Sequence, residues 1–286
     1  MKRGVIKLDS NLNLDLTFSS GQIFRWKKLN SLWYGISYGS LIILKQRGSE
    51  IEYRIQGKMN EEDLFLFLGL DQDYDKILNI LSKDLLLHKL THRYLGLRVL
   101  KQNKRECALS FLCAIFNNIK RINMTLDHFA QISKRKLEIG NLALYDYPNP
   151  NELRKIDEKT LRNLGLGFRA RYFIEFSKTF EDDNDLEQLN KLSTIELESC
   201  LMNIKGIGIK TASCIALYSY GRFDSFPIDT WMKKIIARCY KNIGTLLRNL
   251  TRNYMTIRDI FNEIFQNHAG YAQLFLYVYS RNYLRR

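Results

Sequence analysis

The chain has 286 residues, 45% of them hydrophobic and 12% aromatic, a composition that fits one large or two to three small globular domains and excludes a disordered chain. Its formal net charge of +14 is uneven: residues 201–286 carry 13 Lys/Arg against 4 Asp/Glu, which makes a polyanion such as nucleic acid the leading partner. No apolar run approaches the ~18–20 residues of a membrane span, and the five scattered cysteines and four histidines show no zinc, iron–sulfur or disulfide spacing.

A monomer without metal, cofactor or membrane partner is therefore expected. Lys7 and Asp9 interrupt any signal-like hydrophobic region after Met1-Lys2-Arg3. The expected place is the cytoplasm, with the nucleoid, or the nucleus if the cell has one.

Over residues 1–58, apolar and polar positions alternate between Gly and Ser breaks: Leu12-Asn13-Leu14-Asp15-Leu16, Trp33-Tyr34-Gly35-Ile36, Leu41-Ile42-Ile43-Leu44 and Ile51-Glu52-Tyr53-Arg54-Ile55. Period two over short runs predicts antiparallel strands. From Glu61 onward the spacing becomes helical, as in the Ile77/Ile80/Leu81 stripe, and helices are expected to continue to the C-terminus. The predicted class is α+β: a small N-terminal antiparallel β domain with trailing helices (1–100), then a large helical region (101–286).

The stretch from Ser193 to Tyr240 is the most informative. Ser193 and Glu196 have capping-box spacing and start a helix predicted to run to about Asn203. Gly206-Ile207-Gly208 follows, then a second helix from Ile209 to Tyr220 with Gly221 as its C-cap. This is a helix-hairpin-helix near 194–221. Gly206 and Gly208 let backbone N–H groups approach a phosphate where a helix dipole begins. A purely structural αα-hairpin uses the same residues, but the basic surroundings favour DNA.

Lys210 lies in the first turn of the second helix. There the dipole, with partial burial, is expected to pull its pKa down from ~10.4 towards neutrality, as a Schiff-base nucleophile requires. Asp229 follows Phe226-Pro227-Ile228 and is predicted to N-cap a helix from Thr230 to Tyr240.

Gly206-Ile207-Gly208-Ile209-Lys210 followed by Pro227-Ile228-Asp229 resembles the signature of the helix-hairpin-helix, Gly/Pro-Asp DNA glycosylases. Ser20-Gly21-Gln22-Ile23-Phe24-Arg25-Trp26, Asn117–Arg121, Leu164–Tyr172 and Ala269–Gln273 narrow the resemblance to the 8-oxoguanine DNA glycosylase/AP lyase family. The resemblance implies a bifunctional repair enzyme acting on duplex DNA. In it, Lys210 attacks the sugar C1′ and permits β-elimination, and Asp229 stabilises the cationic sugar. It also implies that the Gly21 carbonyl accepts the N7–H that marks the lesion, and that Gln273 bonds the Watson–Crick edge. Cys214 and Tyr277 would sandwich the flipped ring, Phe168 would wedge into the stack, and Arg121 and Arg169 would reach the orphaned cytosine.

Two positions depart from the eukaryotic pattern: Phe116 stands where an asparagine helps read that cytosine, and Trp231 where a histidine follows the aspartate. Two rivals share the fold. Thymine-glycol-type lyases add a four-cysteine loop after the aspartate, where only Cys239 lies, and alkylbase glycosylases lack the lysine. A non-catalytic hairpin module is the remaining alternative.

Overall fold

The computed structural model describes residues 1–284. Strands β1 (Lys2–Lys7), β2 (Lys27–Leu29), β3 (Leu32–Ser37), β4 (Ser40–Arg47) and β5 (Glu50–Gln56) form one antiparallel sheet in the order β1-β5-β4-β3-β2. The alternation from Trp33, Leu41 and Ile51 onward lies within β3, β4 and β5, as predicted.

Leu12–Leu16 is not a strand. It opens the short helix α1 (Leu14–Ser19). The Asn13 side chain caps it by accepting from the Leu16 N–H, and Leu14, Thr17 and Phe18 bury one helical face. Five residues fit either period, and here the cap decides.

After the sheet come α2 (Glu61–Phe67), α3 (Tyr74–Leu81), α4 (Leu85–Arg93), α5 (Lys104–Cys113) and α6 (Ile119–Ala130). The helical run is then interrupted by a hairpin, β6 (Lys136–Ile139) and β7 (Leu142–Tyr145), contrary to the expectation of helix throughout. Gly140-Asn141 makes its two-residue turn, with Gly140 at φ +58, and Leu137, Ile139, Leu142 and Leu144 alternate around it. The remaining helices are α7 (Pro150–Arg154), α8 (Glu158–Leu161), α9 (Ala170–Thr179), α10 (Asp183–Gln188), α11 (Thr194–Met202), α12 (Ile209–Tyr220), α13 (Thr230–Cys239), α14 (Lys241–Gly244), α15 (Leu250–Ile264) and α16 (Ala269–Tyr283). No helix among the described residues is long and apolar enough to cross a membrane.

Both faces of the sheet are covered. One packs Trp33, Leu44 and Ile55 against Phe18, Trp26 and Phe67, with the Trp26 ring stacked 4.2 Å from Phe18. The other sets Ile36, Leu41 and Ile43 against Ile139 and Leu144 of the β6–β7 hairpin. A larger helical core runs from Tyr74 to Val278 and surrounds α12, which is buried from Thr211 to Tyr220 between α5 and α11. A helix buried on every side is held by packing, so its first turn is a rigid platform.

Candidate active site

The hairpin forms at the predicted residues. Ser193 and Glu196 close a capping box on α11, Gly221 ends α12 at φ +67, and α12 starts at Ile209. The two glycines differ in role. Gly206 sits at φ +97, and a Cβ there would fall 2.3 Å from the Tyr172 ring, so both backbone and space require glycine. Gly208 has φ −89 and nothing within 4 Å of a built Cβ, leaving open room before the α12 N-terminus.

Lys210, in that first turn, faces a cleft of about 630 Å³. Gly21, Cys214, Asp229, Gln273 and Tyr277 line the same cleft, so residues 256 positions apart in sequence meet around one space. Its size suits a single flipped nucleotide. Gly21 has φ +93, and a Cβ would lie 2.7 Å from Arg281 Nη1 and 3.3 Å from the Tyr277 hydroxyl. A side chain at Gly21 would thus press on Arg281 and Tyr277, which line the same cleft, and the positive φ also requires glycine.

The rest of that N-terminal motif is scaffolding. The Gln22 amide donates to Arg98 O at 2.8 Å and accepts from the Leu100 N–H at 2.8 Å. Buried Arg25 pairs with Asp127 at 3.1 Å.

Asp229 is the predicted N-cap of α13, its Oδ1 accepting from the Met232 N–H at 2.8 Å. Burial raises its carboxyl above the ordinary aspartate range, opposed by the Met232 N–H and by Lys210. Lys210 itself departs from expectation: its pKa is raised, not lowered. Burial does pull it down, but the electrostatic pull of Cys214, Asp229 and Tyr277 together outweighs it. The resting amine is therefore a cation, with Nζ 5.3 Å from the centre of the Phe111 ring. Burial also pushes the Cys214 thiol up to about 11, so it meets the cleft as a neutral, polarisable surface.

Three residues that the sequence reading passes over shape the cleft, together with Trp231, which it singles out. The Tyr218 hydroxyl donates to the Gln273 amide oxygen at 3.3 Å and fixes which way that amide points. Phe111 stacks on Tyr218 at 5.7 Å, forming the floor under Lys210. Arg281 donates to the carbonyls of Ser20 (2.9 Å) and Ser19 (2.6 Å) and lies 5.5 Å from the Tyr277 ring, tying the Gly21 loop to α16. Trp231 lies on the cleft wall, 4.4 Å from Lys234 Nζ. Phe111, Tyr218 and Arg281 sit in helical runs that read only as core or surface, and no local signal marks them.

Three predicted DNA contacts lie outside the inner cleft. Phe168 is 44% exposed, as an inserting ring must be. Arg121 is exposed on the first turn of α6. Arg169 is buried, and its guanidinium donates to the carbonyls of Ile115 (2.6 Å), Phe116 (2.9 Å) and Leu166 (3.4 Å).

Residues 5–108 match the family described as 8-oxoguanine DNA glycosylase, N-terminal domain. The chain is 28% identical to the N-glycosylase/DNA lyase OGG1 of Arabidopsis thaliana, over 94% of this chain and 77% of that protein. The solved structure of MBOgg1 in complex with a low-affinity DNA ligand superimposes with a TM-score of 0.86 at 30% identity, covering 99% of both chains. The Clostridium acetobutylicum 8-oxoguanine glycosylase/lyase, solved with duplex DNA containing cytosine opposite 8-oxoG, gives 0.87 at 27% identity, over 98% of this chain and 97% of that one.

Proposed function

The chain belongs to the 8-oxoguanine DNA glycosylase family, and on that premise we propose that it excises 8-oxoguanine from duplex DNA and then cleaves the strand. One observation carries the reading: Lys210 and Asp229 share a nucleotide-sized cleft with the close-approach backbone of Gly21.

The lesion differs from guanine in carrying an N7–H donor where guanine has an acceptor. A carbonyl at Gly21 hydrogen-bonds the first and faces a lone pair on the second, and a buried unpaired acceptor costs about 1–3 kcal/mol. Cys214 and Tyr277 hold the ring, and Gln273, oriented by Tyr218, takes its Watson–Crick edge.

As the bond from C1′ to the base breaks, the base leaves with the electron pair and the sugar becomes cationic. The Asp229 carboxylate stabilises that charge. Lys210 must shed a proton before its lone pair can bond C1′, and the Asp229 carboxylate, which interacts electrostatically with the amine, is a base that can take it. The sugar ring then opens to a Schiff base. Loss of a C2′ proton expels the 3′ phosphate, cleaving the strand by β-elimination.

Such an enzyme works where chromosomal DNA is kept, in the nucleoid or the nucleus. The test is a duplex bearing 8-oxoguanine, resolved on a denaturing gel. Incision at the lesion, with none at guanine in the same sequence, is expected. Binding without incision would leave only a DNA-binding hairpin, and incision at a different lesion alone would move the substrate.

A further inference from the structure

The chain leaves α1 through Ser20 to Gln22, and the backbone carbonyls from Ser19 to Gln22 meet different fates. The Gln22 carbonyl accepts from the Gln102 amide at 2.8 Å. The Ser19 and Ser20 carbonyls accept from Nη2 and Nη1 of Arg281, at 2.6 and 2.9 Å. Of the carbonyls in this loop, that of Gly21 alone accepts from no donor among the described residues. A carbonyl left unclaimed in an otherwise claimed loop, at a residue lining the cleft, is available to a ligand.

Arg281 reaches this loop from the other end of the chain. Gln273, Tyr277 and Arg281 are spaced four residues apart on α16, so one helical face carries all three into the cleft. The guanidinium holds two successive carbonyls with two prongs, which fixes an orientation as well as a distance. That matters most at the next residue. Gly21, at φ +93, has the widest backbone freedom of any residue type, and nothing else grips its carbonyl.

We propose that Arg281 is the positioning residue for lesion recognition: by taking the Ser19 and Ser20 carbonyls, it leaves Gly21 as the loop's acceptor and fixes the direction in which it meets the base. The proposal rests on the glycosylase reading above, in which the Gly21 carbonyl accepts the N7–H of 8-oxoguanine. Without the guanidinium, two more carbonyls need donors beside the cleft, and the Gly21 peptide is free to turn. The N7–H then loses a fixed partner, and base excision slows. Chemistry on the sugar alone is spared, because an abasic site has no base to read.

The experiment measures single-turnover base excision from an 8-oxoguanine duplex and strand incision at a pre-formed abasic site, in wild type and Arg281→Met. Methionine keeps an apolar stem and removes both donors. Excision should fall by about ten- to a hundredfold, and at least about tenfold further than abasic incision. Arg281→Lys keeps one charged donor and gives a second reading where methionine disturbs folding; the same split, smaller, is expected. The guanidinium also lies 5.5 Å from the Tyr277 ring, so the comparison is repeated in Tyr277→Leu. A loss routed through that ring would vanish there, whereas a loss routed through the Gly21 loop should persist. Equal losses on both duplexes, no loss on either, or a loss that vanishes with Tyr277 overturns the proposal. Wild-type excision separates the failures: its absence sinks the glycosylase reading, while its presence with an indifferent Arg281 sinks only this one.

Discussion

At Lys210, local and tertiary electrostatics oppose each other. A cation in the first turn of a helix is disfavoured by about 0.3–1 kcal/mol, and burial adds to that. Both effects can be read from position. The opposing pull cannot, because Asp229 and Tyr277 reach the amine only through the fold; with Cys214, one helical turn on, they reverse the sign. The consequence is kinetic. The nucleophile is the minority, neutral form, and its fraction rises tenfold per pH unit below its pKa. Initial borohydride trapping on a pre-formed abasic duplex isolates the amine from base departure. Its rate should climb by about an order of magnitude per unit from about pH 6 to about pH 9, without levelling. A plateau beginning near neutrality would mean that the site depresses the lysine after all.

Elements were legible where capping chemistry marks their ends. Ser193 with Glu196, Gly221 and Asp229 each end or start a helix at the residue the sequence indicates. The β6–β7 hairpin was missed although Gly140-Asn141 is a turn signal, because four-residue strands show too little alternation against a helical background. Likewise the resemblance implies that Arg169 reaches the orphaned cytosine, and only the fold shows it buried and donating to the Phe116 carbonyl.

The joint between the sheet and the helical region was also invisible. Glu106, near the start of α5, accepts from the Tyr38 N–H at 2.9 Å and from the Ser37 hydroxyl at 3.2 Å, both at the end of the β3–β4 hairpin. Burial, and then the Asp146 carboxylate, push Glu106 up to about 8, against the pull of Arg25. The native state thus holds this proton more tightly than the unfolded chain, so stability falls as pH rises from about 4.5 to about 8 and is flat above. Glu106→Gln, which mimics the protonated form, should be more stable than wild type by about 1–3 kcal/mol near pH 8 and indistinguishable at about pH 4. Equal denaturation midpoints at pH 8 would show that the carboxylate is accommodated without cost.

Across the whole molecule, the N-terminal sheet brings Gly21 to one wall of the cleft, the hairpin brings Lys210 to another, and α16 closes it with Gln273 and Tyr277. The fold class and the pair Lys210/Asp229 were legible because they rest on periodicity, caps and an ordered motif. The floor formed by Phe111 and Tyr218 was not, because aromatic residues on buried helices look alike until packed. The account stands on Lys210 forming a covalent bond to the sugar. The most direct measurement is borohydride trapping on an 8-oxoguanine duplex with wild type and Lys210→Gln, alongside DNA affinity. A covalent protein–DNA adduct is expected in the wild type and none in the variant, with affinity kept within a fewfold; undiminished trapping by Lys210→Gln would contradict the account.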